Sequence, residues 1–150
     1  MKKNILLVED DLPKLTQILD AVKANGIELA VARSINEAIR RLDELVFDCV
    51  LLDMSLPTFN EGANVSSSGR QQDFGGRQIL TYMWELEIKS HVMLVTQLPG
   101  FKNEGGKEVK LKDLDAALTR DFPGLYMGFT YFHHSTDAWA KRLKDFLETI

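Results

Sequence analysis

Two short apolar runs in this chain end in acids. Ile5-Leu6-Leu7-Val8 leads into Glu9-Asp10-Asp11, and Cys49-Val50-Leu51-Leu52 leads into Asp53. If both runs are buried strands lying side by side in a parallel sheet, their carboxylates converge on one point. Such a cluster suits a hard divalent cation and phosphoryl chemistry on an aspartate. An aspartate attacks phosphorus poorly because both partners are negative, so the chemistry needs a cation between the carboxylate and the phosphoryl oxygens. Mg²⁺, which takes a few carboxylates plus water and phosphate oxygens, fits that set. Thr96 closes a third apolar run, Val92-Met93-Leu94-Val95, and its hydroxyl would donate to new phosphoryl oxygens. A group of about −1.5 to −2 charge would draw that hydroxyl inward and bias the segment after it. Taken singly, each feature has a plain structural reading. Glu9-Asp10-Asp11 before Leu12-Pro13 also suits a helix N-terminus, Asp53 can cap a turn, and Thr is an ordinary strand-end residue.

The elements that must position these residues follow from periodicity. Continuous apolar runs recur at Ile5 to Val8, Ile27 to Val31, Cys49 to Leu52, Val92 to Val95 and Leu125 to Phe132, as expected of strands covered on both faces. Between them lie stripes at helical spacing. These are Leu12, Leu15, Ile18, Leu19 and Val22; Ile35, Ala38, Ile39, Leu42 and Leu45; Ile79, Leu80, Met83 and Trp84; Leu111, Leu114 and Leu118; and Trp139, Leu143, Phe146, Leu147 and Ile150. Ser34 with Glu37 reads as a capping box for the second helix, and Asn25-Gly26 as a stop for the first. Strand and helix alternate throughout, which predicts an α/β fold with a doubly wound, five-stranded parallel sheet and helices on both faces. Two stretches lack an apolar period and are expected to be loops: Thr58 to Gly76, rich in Gly, Ser, Asn and Gln, and Gln97 to Glu108. Both follow carboxyl ends of strands, the edge at which open parallel sheets bind ligands.

Size and charge narrow the function. A chain of 150 residues suits one domain, here 1–150 with an inserted loop at about 58–76. With 18 basic and 22 acidic residues the net charge is −4, and no Lys/Arg cluster forms a phosphate-backbone footprint, which argues against direct nucleic-acid binding. No run approaches the roughly 20 apolar residues of a membrane span, and the start Met1-Lys2-Lys3-Asn4 leads into a strand too short for a signal-peptide core. The one cysteine, Cys49, sits within an apolar strand. A cytoplasmic, reducing setting is the expectation, with no membrane insertion.

On three motifs the chain resembles a response-regulator receiver domain of two-component signalling. They are Ile5-Leu6-Leu7-Val8-Glu9-Asp10-Asp11, Asp53-Met54-Ser55-Leu56-Pro57 and Val92-Met93-Leu94-Val95-Thr96. The resemblance implies flavodoxin-like strand order 2-1-3-4-5. It makes Asp53 the phosphoacceptor, Glu9 and Asp10 with Asp53 the Mg²⁺ ligands, and the backbone carbonyl of Ser55 a further ligand. Thr96 falls on the switch hydroxyl and Phe129 on the aromatic switch position. The implied donor is a histidine kinase or histidine phosphotransfer protein, and the implied output face for a downstream protein partner is Leu111 to Ile150.

The chain departs from that pattern at two places. Receivers carry a lysine near the end of the fifth strand, whereas this region reads Gly128-Phe129-Thr130-Tyr131-Phe132-His133-His134, which puts Phe132 in the lysine's place. His133, His134, or Lys102 and Lys107 of the second loop are candidate substitutes, the histidines reading more simply as surface residues. The glycine expected a few residues past Pro57 finds its best match far downstream, at Gly76. The leading expectation is therefore a stand-alone receiver phosphorylated on Asp53 that signals by altered protein contacts. It is not an enzyme beyond self-phosphotransfer and autodephosphorylation. The alternative is a degenerate receiver that acts as a phosphorylation-independent interaction module. An aspartate-nucleophile phosphatase of the haloacid-dehalogenase type ranks last, because position 55 is Ser where that family needs a second aspartate.

Overall fold

The structure is a computed structural model that describes residues 3–23, 27–60, 71–72, 74–97, 100–102 and 105–150. In chain order the elements are β1 (Asn4–Val8), α1 (Leu12–Lys23), β2 (Glu28–Ala32), α2 (Ile35–Glu44), β3 (Cys49–Leu52), β4 (Leu56–Pro57) and β5 (Gln71–Gln72). Then come α3 (Gly75–Glu85), β6 (His91–Thr96), β7 (Gly100–Lys102), β8 (Glu108–Lys110), α4 (Leu111–Asp121), β9 (Tyr126–Tyr131) and α5 (Ala138–Thr149). The central sheet is parallel in the order β2-β1-β3-β6-β9, which is the expected 2-1-3-4-5 counted over its own five strands.

Alternation along the strands divides the core between two faces. Leu6, Val8, Val50, Leu52, Val92 and Leu94 pack with Ile35, Ala38 and Leu42 of α2, Ile79, Leu80 and Met83 of α3, and Leu114 and Leu118 of α4. Ile5, Leu7, Cys49, Leu51, Met93 and Val95 pack with Leu15, Ile18 and Val22 of α1 and Trp139, Leu143 and Leu147 of α5. All four residues of β3 are buried, and each large apolar side chain so placed contributes about 1.5–3 kcal/mol. That anchoring fixes where Asp53, the next residue, must sit.

Local signals agree with the helices in most places. Ser34 Oγ accepts the Glu37 N–H at 3.1 Å, as an N-cap should. Glu37 reaches back one residue further than a standard capping box, taking the Arg33 N–H at 2.8 Å. The Asn25-Gly26 stop lies outside the described residues, but α1 ends just before it at Lys23. On α1 the buried stripe is Lys14, Leu15, Ile18 and Val22, and Leu12 is exposed, a correction to the expected stripe. Leu12 opens the helix and turns outward, and the core position one turn before Ile18 belongs to Lys14.

Both expected loops contain pairing that the absence of an apolar period hid. Leu56–Pro57 and Gln71–Gln72 form an antiparallel pair, and Gly100–Lys102 pairs antiparallel with Glu108–Lys110. Strands of two or three residues are too short to leave a period-2 signature. The β6–β9 ladder shifts register between Val92 and Met93, so that Met127 bulges out between Tyr126 and Gly128. Gly128 takes φ 128°, a conformation open to glycine. The bulge sets the facing of Phe129 through Phe132 at the sheet edge where the acids gather.

Candidate functional site

Parallel pairing brings the strand ends together. Val8 pairs with Leu52 and Leu52 with Leu94, while the Asp53 N–H donates to Val8 O at 3.1 Å and the Glu9 N–H to Ala32 O at 3.0 Å. Glu9, Asp10 and Asp53 therefore stand at the carboxyl edge of neighbouring strands, each with a carboxylate oxygen within 4.8 Å of the others. Glu9 is buried, and Asp10 and Asp53 are half-buried. The acids before α1 are thus more than dipole partners of that helix: Asp11 supplies the carbonyl that accepts the Leu15 N–H, and Glu9 points into the protein.

Each acid is held. Glu9 Oε2 accepts the backbone N–H groups of Asp10 and Asp11 at 3.1 and 3.2 Å. Asp53 Oδ1 accepts the Met54 N–H at 2.8 Å, and the Arg33 guanidinium donates to the Asp10 carbonyl at 3.2 Å. The start of α3 seals the far side, where the Gly76 N–H donates to Met54 O at 2.8 Å. A Cβ on Gly76 would stand 2.6 Å from the Asp53 carbonyl oxygen and 3.0 Å from Met54 Cα. Only glycine lets the helix approach so closely, and this gives the downstream glycine singled out in the sequence its structural reason.

The sequence reading missed Lys14. Its side chain is completely buried, with Nζ 2.6 Å from Glu9 Oε1, 2.8 Å from Val95 O and 3.5 Å from Asp53 Oδ2. Among the described residues, Glu9 and Lys14 are the buried charged side chains. The available signal was spacing: Lys14 lies four residues before Ile18 and eight before Val22, on the core stripe. Burial, followed by the Asp53 charge, pushes the Glu9 carboxyl up to about 8, against the opposing pull of the Lys14 ammonium.

The remaining candidates sort as follows. Thr96 ends β6 and is buried, and its carbonyl accepts the Phe132 N–H at 2.8 Å. Ser55 is half-buried two residues past Asp53. Phe129, opposite Leu94, packs partly buried against the α2–α4 core. Phe132 is buried with its ring 4.8 Å from Trp139 and 5.9 Å from Lys14 Nζ. His133, His134, Lys102 and Lys107 are exposed. Among the described residues no helix is long and apolar enough to cross a membrane.

A five-stranded parallel sheet with an acid cluster at its carboxyl edge defines a receiver, and the chain belongs to the response-regulator receiver family. It is 30% identical over 163 residues to Detocs response regulatory protein DtcB of Vibrio alginolyticus, covering 97% of this chain and 99% of that protein. Detocs response regulatory protein DtcB of Enterobacter cloacae (strain JD6301) is 23% identical over 145 residues, covering 93% and 94%. The CheY-like receiver domain protein of Methanospirillum hungatei JF-1 shares the fold at TM-score 0.65 and 17% identity, over 99% of this chain and 96% of that one. No protein-family model matches the chain. Receivers are signalling modules.

Proposed function

We propose that this protein is a phosphorylatable receiver. Asp53 accepts a phosphoryl group from a histidine kinase or histidine phosphotransfer protein, and the phosphorylated form signals through changed protein contacts. The observation that carries this reading is the convergence of the Glu9, Asp10 and Asp53 carboxylates within 4.8 Å at the sheet's carboxyl edge. Hard oxygen donors of this kind fit Mg²⁺, which Glu9, Asp10, Asp53 and the Ser55 carbonyl would hold. When bound, it would neutralise charge shared by the acceptor carboxylate and the phosphoryl oxygens.

The chain's own residues have these roles. Asp53, fixed by its Oδ1 bond to the Met54 N–H, presents an oxygen to phosphorus. Glu9, tied to two backbone N–H groups, holds an oxygen donor in place beside Asp53. Thr96, on the strand beside β3, is the switch hydroxyl, with Phe129 the aromatic that follows it. The output face is Leu111 to Ile150 and the setting cytoplasmic. Similarity to Detocs response regulatory proteins supports a role as the response regulator of such a system. The whole chain acts as one domain, with no enzymatic activity beyond self-phosphotransfer and autodephosphorylation.

Incubation of the Mg²⁺-loaded protein with acetyl phosphate should add one phosphate to wild type and none to Asp53→Asn. An unmodified wild type refutes the reading. Phe132 in the usual lysine position favours a second reading, a phosphorylation-independent interaction module. Under it, partner binding is indifferent to Asp53→Ala and to Mg²⁺. Allosteric coupling of about 1–3 kcal/mol requires an assay that resolves roughly fivefold changes.

A further inference from the structure

Resting on the phosphorylation reading, we propose that Lys14 is the cation that serves Asp53 in phosphoryl transfer. It enters from the first turn of α1, while Phe132 fills the side from which a fifth-strand lysine would come. Three observations meet at this residue. The ammonium is buried against the carboxyl groups of Glu9 and Asp53, its third acceptor is a backbone carbonyl, and the buried Phe132 ring lies 5.9 Å from it. A buried cation of this kind persists only where acceptors take its protons, and Glu9, Asp53 and Val95 are those acceptors.

The three contacts differ in strength. Those to Glu9 Oε1 at 2.6 Å and Val95 O at 2.8 Å are short, and they anchor the ammonium between α1, β1 and β6. The one to Asp53 Oδ2 at 3.5 Å is longer than a good charge-assisted hydrogen bond and is the one free to change. In the transfer, an Asp53 oxygen forms a new O–P bond as the donor's bond to phosphorus breaks, the electron pair leaving with the donor. Acetyl phosphate leaves as acetate, and a phosphohistidine leaves as imidazole after taking a proton from solvent. Lys14 gives up no proton. Before transfer it offsets the repulsion between Asp53 and the incoming phosphoryl group. Afterwards the Asp53 carboxyl is an uncharged acyl linkage, so the negative charge lies on the phosphoryl oxygens and the ammonium turns to them. The Phe132 ring, 5.9 Å from Nζ, covers one side of the ammonium. Because Lys14 belongs to α1, the change of partner reports phosphorylation to that helix.

The test compares wild type, Lys14→Met, Lys14→Gln and Asp53→Asn, each checked for folding by circular dichroism. With acetyl phosphate and Mg²⁺, loss of Lys14 should slow labelling by at least tenfold, in line with the roughly 10²–10³ typical of removing one preorganised donor. Mg²⁺ affinity of the unphosphorylated variants should rise by threefold or more, because a positive charge has left the carboxylates. A merely structural role would lower that affinity by loosening the site. Should both variants fail to fold, side-chain ¹⁵N NMR of wild type takes their place. A slowly exchanging Lys14 ammonium signal should be present and should shift on addition of beryllofluoride with Mg²⁺. If wild type labels normally while the folded Lys14 variants match it in rate and in Mg²⁺ affinity, the role of Lys14 is overturned and the receiver reading stands. An ammonium signal that is absent or unmoved has the same effect. If wild type takes no phosphate, the receiver reading falls and this inference with it.

Discussion

Gly76→Ala tests how tightly α3 is pressed onto the acceptor strand. The added Cβ would lie 2.6 Å from the Asp53 carbonyl oxygen, 3.0 Å from Met54 Cα and 3.2 Å from Met54 Sδ. Two of these three atoms are backbone of the segment that carries Asp53, so no side-chain rotation relieves the contact. To reach ordinary separations of ~3.5 Å the first turn of α3 must retreat by roughly 1 Å. That retreat stretches the 2.8 Å bond from the Gly76 N–H to Met54 O past useful length. Overpacking costs about 1–3 kcal/mol and the lost hydrogen bond about 0.5–1.5 kcal/mol, while alanine's helix propensity returns about 1 kcal/mol. The net is a loss of about 2 kcal/mol, which for a chain of this size lowers Tm by roughly 4–8 °C. Gly75→Ala is the control. Its added Cβ meets the flexible Ile35 Cδ1 tip at 2.9 Å and Leu56 Cβ at 3.1 Å but no backbone atom of the acceptor segment, so its cost should be smaller than that of Gly76→Ala. Thermal and urea melts followed by far-UV circular dichroism measure both. A Gly76→Ala protein as stable as wild type, or one less affected than Gly75→Ala, refutes the close-approach argument.

Three more outcomes are expected. In EDTA, the raised Glu9 carboxyl makes a stability contribution that is complete below about pH 4.5 and lost as pH rises through about 8. Urea midpoints across that window should therefore fall with pH in wild type, and the slope should diminish in Glu9→Gln. Ser34→Ala removes the side-chain cap from the Glu37 N–H and should cost about 1 kcal/mol, read as a Tm lower by roughly 2–4 °C; an unchanged Tm would show that the cap is dispensable. Burial and the 2.7 Å bond from its hydroxyl to Asp115 Oδ1 hold the Tyr126 phenol well above the usual tyrosine range. Ultraviolet titration to pH 11 should leave this residue un-ionised, so that Tyr126→Phe removes no titrating signal.

The sequence by itself determined the sheet. Runs such as Cys49-Val50-Leu51-Leu52 are apolar at every position because β3 is covered on both faces, and a chain with that property alternating with helical stripes has few ways to fold. Acids placed directly after such runs must emerge at one sheet edge, so Glu9, Asp10 and Asp53 were legible as a cluster before any geometry was known. The short ladders at Leu56–Pro57 and Gly100–Lys102 were not, because two or three residues carry no period. Lys14 was not legible either. A lysine in the first turn of an amphipathic helix ordinarily reaches water, and its type argued against the core stripe on which its spacing placed it. Tertiary structure decided the matter by bringing the first turn of α1 against the ends of β1, β3 and β6, where Glu9, Asp53 and Val95 O give the ammonium three acceptors. Long-range pairing of charge, invisible in any local window of sequence, is what makes burying that lysine affordable.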